Sequence, residues 1–147
     1  MKKFWFVPVF IMILFMAVTG CSREKTPPEA VIKINHIQVE AAKGTYEWQY
    51  GFLYHSALVA DATSPSVIAK HLTPLTVHLG AIAKISFSNH SHPHLYAHIW
   101  ENDREGKKLF IKQNQLTLPS EPGRYVILLH ARWPHGNSDY VFSVDVH

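Results

Sequence analysis

Three histidines stand at alternating positions in Asn89-His90-Ser91-His92-Pro93-His94, with His98 four residues further on. In an extended chain, alternate side chains point to one side about 6.6 Å apart, close enough for two imidazoles to converge on one ion. Imidazole is a borderline donor suited to copper, zinc or nickel, so the chemistry on offer is metal binding through His90, His92 and His94. Pro93 disfavours a ladder strand and favours a loop, the kind of segment in which β-domains commonly bind ligands. His98 would lie about 13 Å from His94 in strand geometry and falls outside a shared ligand set. No carboxylate lies within six residues of the cluster. The competing reading is a plain solvated loop. His36, His55, His71, His78, His130, His135 and His147 are scattered and read as surface or half-buried side chains.

Two other groups of residues could bind something. Tyr46, Trp48, Tyr50, Phe52 and Tyr54 share one strand parity, which makes either an aromatic face for a sugar or protein partner or, more simply, a core face. Trp133 and His135, in Arg132-Trp133-Pro134-His135, form a candidate partner surface, against the alternative that Trp133 plugs the end of the fold. No nucleophile paired with a base, no carboxylate pair at useful spacing and no glycine-rich phosphate loop is recognisable. Asp61, Glu101, Asp103, Glu105 and Asp139 read as solvated residues of turns and loops. The expectation is a chain that is not an enzyme.

The elements that must position these residues are strands, because apolar residues recur with period two and are rich in Val, Ile, Tyr, Phe and Trp. Ile32, Ile34, Ile37 and Val39 suggest one strand with a slip at Asn35-His36. Leu75 to Leu79, Ile85-x-Phe87 and Leu95 to Trp100 suggest three more. Arg124 to Arg132 and Ser138 to Val146 flank a hairpin loop at 133–137. A serine before proline in Ser64-Pro65-Ser66 predicts one short helix. If segments 82–88, 95–101, 107–111, 124–132 and 138–146 alternate in direction, the histidine loop and the hairpin lie at opposite ends. His147 would then approach His90, His92 and His94, and His135 would not.

Short strands at this spacing predict an all-β, immunoglobulin-like antiparallel β-sandwich with at most one short helix, spanning 31–147 as a single domain. Leu118-Pro119-Ser120-Glu121-Pro122-Gly123-Arg124-Tyr125 resembles the Pro-x-x-Pro-Gly-x-Tyr entry to a late strand in extracellular β-sandwiches. With Tyr46-Glu47-Trp48, it is also similar to small exported β-sandwich proteins of Gram-positive bacteria. That likeness implies a fold and no function. A blue-copper reading needs a cysteine thiolate inside the core, and the single cysteine, Cys21, precedes the domain.

Met1-Lys2-Lys3, the apolar run Phe4 to Val18 and Val18-Thr19-Gly20-Cys21 resemble a bacterial lipoprotein leader ending in a lipobox. The resemblance implies that residues 1–20 form a signal peptide, that Cys21 is lipidated, and that the polar, Pro27-Pro28-containing stretch to Ala30 is a tether. One acyl chain holds a protein only marginally at a membrane, and two or three hold it stably. Without Lys2 and Lys3 the mature chain carries 12 basic and 11 acidic residues, with no basic stripe, which argues against nucleic acid as a partner. The expected protein is a lipoprotein on the extracytoplasmic side of the cell membrane. It is expected to act as a binding or accessory module for an envelope protein or small ligand, without a cofactor. The alternative is a copper- or zinc-binding lipoprotein that uses residues 90–94.

Overall fold

The computed structural model describes residues 24–51 and 56–147, so the lipobox-like segment with Cys21, and also Phe52, Tyr54 and His55, lie outside the described residues. The chain runs through β1 (Ala30–Ile34), β2 (Ile37–Val39), β3 (Ala41–Tyr50), β4 (Ser56–Ala60), α1 (Pro65–Ala69) and β5 (Leu75–Val77). It continues with β6 (Ile82–Phe87), β7 (His94–Glu101), β8 (Arg104–Leu109), β9 (Ile111–Lys112), β10 (Gln115–Thr117), β11 (Gly123–Trp133) and β12 (Gly136–Val146). One sheet has the order β2-β1-β6-β10-β9 and the other β4-β3-β12-β11-β7-β8, with β5 parallel beside β12. The protein is thus a β-sandwich of two sheets, antiparallel apart from that pair, and α1 is the one helix among the described residues, at the position predicted from Ser64-Pro65.

Period-two patterning builds the core. Ile32 and Ile34 of β1 and Ala83, Ile85 and Phe87 of β6 face Ala97 and Ile99 of β7, Ile127, Leu129 and Ala131 of β11, and Tyr140, Phe142, Val144 and Val146 of β12. Burying each large apolar side chain contributes roughly 1.5–3 kcal/mol, which is what orients both sheets. Trp48 is buried, and Tyr46 and Tyr50 pack against the same cluster, so the described part of the aromatic stripe is core. Trp133 is buried too. Its ring lies edge-on to Trp48 at 5.2 Å and Phe87 at 5.1 Å, and its Nε1 donates to Ser91 Oγ at 2.8 Å. It closes the end of the sandwich and is no partner surface, while His135 packs on Trp48 at 4.4 Å.

Three two-residue hairpin turns correct the reading of the strands. Asn35-His36, Asn102-Asp103 and Gln113-Asn114 each hold positive φ at both positions, as type I′ turns require. Asn35-His36 therefore reverses the chain into a β1–β2 hairpin instead of marking a slip in one strand. Gln113-Asn114 adds a reversal between β9 and β10 that strand counting misses. That single reversal inverts the parity argument. Arg132, at the end of β11, pairs with His94 at the start of β7, so the histidine loop and the β11–β12 hairpin share one end. Val146 pairs with Gly123, which puts His147 at the opposite end, away from His90, His92 and His94.

At the entry to β11, Tyr125 Oη donates to the Glu121 carbonyl at 3.0 Å. The expected tether differs. Pro27 and Pro28 are fully buried, Trp48 Nε1 donates to the Glu24 carbonyl at 2.9 Å, and Tyr140 Oη donates to the Pro28 carbonyl. Lys43 Nζ also donates to the Pro27 carbonyl at 2.6 Å and pairs with Glu29 at 2.7 Å. Two prolines lose little conformational entropy on docking, and the carbonyls of Pro27 and Pro28 accept from side chains instead of lying in a ladder. The packed fold therefore includes Glu24 to Ala30, upstream of the predicted start at residue 31.

Candidate metal centre

The outward face of the larger sheet carries the residues that the core rejects. On β7 these are His94, Tyr96, His98 and Trp100, alternating with buried Ala97 and Ile99. On β11, His130 stands opposite Tyr96 and opposite Asp139 of β12, while His98 stands opposite Leu128, two residues away from His130. Diagonal neighbours of this kind lie within reach of long side chains. The His98 and His130 rings are 5.9 Å apart, and the Tyr96 ring stacks on His130 at 4.6 Å.

Two bulges bring in the carboxylates. Along β7–β8, His98 pairs with Lys108 but Trp100 pairs with Glu105, so β8 spends one extra residue and Glu105 emerges on the outward side. Along β12–β3, Ser138 pairs with Tyr46 and Tyr140 with Lys43, leaving Gly44 and Thr45 opposite Asp139. A side chain at Gly44 would put its Cβ 3.2 Å from the Asp139 Cβ, so glycine leaves that carboxylate its room.

In the resulting cluster, Glu105 Oε2 lies 3.2 Å from His98 Nδ1, and Glu105 Oε1 lies 3.0 Å from His130 Nε2. Both imidazole nitrogens are buried, and the carboxylate of Glu105 is the group that faces them. The other nitrogen of His130, Nδ1, meets Asp139 Oδ1 at 2.6 Å. Burial works against a charge on His130, yet the hydrogen bond and charge of Asp139, with Glu105 nearby, outweigh it and raise the pKa above the ordinary histidine value. Among the described residues, His98, Glu105 and His130 are the one group of metal-ligating side chains whose ligand atoms all lie within 4.8 Å of one another.

Two imidazoles and a carboxylate match the donor set of three-ligand zinc sites and of related transition-metal sites. Donors about 2.0–2.2 Å from a shared ion stand about 3–3.5 Å apart, the spacing seen on both sides of Glu105. Asp139 supplies the carboxylate–histidine contact that orients a metal-bound imidazole. A cavity of about 450 Å³ adjoins the cluster, with Glu105, His130 and Asp139 on its wall and Ser64, Pro65 and Ile68 reaching over it from α1 and its approach.

The structure does not gather the histidines at 90–94 in this way. His90, with φ of 57°, and His92 and His94 are exposed and form no such group. Glu105 and Asp139 sit on β8 and β12, not in solvated loops, and His130 is half-buried on a strand. One signal in the sequence pointed here, a histidine interrupting the apolar run from Tyr125 to Ala131. No known protein family, curated protein or solved structure matches the chain.

Proposed function

We propose that this protein is a lipid-anchored, extracytoplasmic binding module that holds a divalent transition-metal ion, zinc or copper foremost, through His98, Glu105 and His130, with Asp139 orienting His130. The carrying observation is that two buried imidazole nitrogens, His98 Nδ1 and His130 Nε2, converge on the carboxylate of Glu105, with the three ligand atoms within 4.8 Å of one another. One cation between them would take both nitrogens and the carboxylate as donors. The membrane address rests on the lipobox at Cys21.

The test is a calorimetric titration with Zn2+, Cu2+ and Ni2+ at neutral pH on three proteins: the wild type, a His98/Glu105/His130 triple alanine variant, and a His90/His92/His94 triple alanine variant. The expected result is 1:1 binding at micromolar concentration or tighter, lost in the first variant and unchanged in the second. Loss only in the second would move the site to the loop. Weak binding equal in all three would end the metal reading.

A further inference from the structure

We propose that the metal ion, once held, takes a small neutral donor ligand in its remaining coordination positions, for which imidazole is the simplest representative. This rests on the metal reading above. Three protein donors are one to three fewer than a divalent transition metal ordinarily takes, and zinc sites with three protein ligands keep a position for an exogenous one. The space for it is the cavity of about 450 Å³, which Glu105 and His130 border directly. Ligand sites of small molecules fall in this size range.

The walls decide the class of ligand. Leu128, Val141, Ile68 and Trp100 give the cavity apolar surface, and Thr45 and Ser64 add polar groups. Asp103, Glu105 and Asp139 also border the cavity, so three carboxylates stand around an ion of charge two. That balance repels an anion, whereas a neutral donor meets no such repulsion. The roof is latched to the sheet, since Trp100 Nε1 donates to Ser66 Oγ at 2.9 Å and Ser66 Oγ donates to Asp103 Oδ1 at 3.1 Å. Helix α1 beside the cavity is therefore tied at the β7–β8 turn.

The experiment uses the detergent-solubilised full chain loaded with Co2+ at pH 8, whose visible absorption bands report coordination, with equilibrium dialysis confirming that the ion stays bound. Imidazole and acetate are titrated in separately. The expected result is a saturable band shift with imidazole at a concentration at least tenfold lower than any shift with acetate. Ile68→Trp, which fills the cavity without replacing a metal donor, should weaken imidazole at least tenfold and leave Co2+ retention unchanged. Retained Co2+ without a saturable imidazole shift, or with acetate equal to or tighter than imidazole, overturns this inference and leaves the metal reading intact. Failure to retain Co2+ overturns both. The comparison of imidazole with acetate is made on the unmutated chain, so it decides the matter even if Ile68→Trp does not fold.

Discussion

Asp139→Asn isolates the contact that makes His130 a competent ligand. The replacement is isosteric, so the close approach of Gly44 is undisturbed, and only the charge on the partner of Nδ1 is lost. At 2.6 Å the contact has the length of a charge-assisted hydrogen bond, a kind that contributes about 1.5–3 kcal/mol. Removing the carboxylate partner of a metal-bound histidine typically lowers affinity by about 10- to 100-fold, or about 1.4–2.7 kcal/mol. The two ranges agree, and a zinc dissociation constant 10- to 100-fold weaker at pH 8 is expected by competition with a chromophoric chelator.

The sign with pH follows from the raised pKa of His130. In the metal-free protein, the stabilisation from the charged pair is fully present below the unfolded histidine value of about 6.5 and is lost as pH rises through the folded value. Asp139→Asn should therefore destabilise the metal-free protein more at pH 6 than at pH 8. Metal binding runs the other way, because the ion must displace the proton that Asp139 helps His130 to hold. The affinity penalty of the substitution should be largest at pH 8 and shrink towards pH 6. An affinity within about twofold of wild type at pH 8 would refute the role given to Asp139.

Two further outcomes are expected. Gly136→Ala would place a Cβ 2.5 Å from the Glu47 carbonyl oxygen and 2.8 Å from Trp48 Cε3, and overpacking of this kind costs about 1–3 kcal/mol, read as a lower urea midpoint at unchanged slope; an unchanged midpoint would contradict it. Cys21→Ala should abolish incorporation of labelled palmitate and leave unprocessed precursor, and continued labelling of the variant would remove the lipobox from the argument.

The sandwich was legible because burial enforces period two locally. Ile85-x-Phe87 and the alternation through β12 point inward whatever lies opposite them. The short helix was legible for an equally local reason, serine and proline at its first turn. The hairpin turns were less so, since Asn35-His36 and Gln113-Asn114 lack the glycine that usually marks type I′ geometry. Missing the second of them was enough to place the histidine loop at the wrong end relative to the β11–β12 hairpin.

For the candidate metal centre, the sequence by itself carries the parity of His98, His130 and Asp139, which alternate with core residues on long strands. Only the tertiary structure decided that these side chains and Glu105 meet. Sheet order sets β11 between β7 and β12, a pairing between residues 26 to 38 apart in sequence on one side and between consecutive strands on the other. The bulge in β8 then shifts parity by one residue and brings Glu105 out to His98 and His130. Side-chain direction in a strand is a local property that alternation reveals, whereas strand neighbours and bulges arise from non-local hydrogen bonding that no window of residues contains.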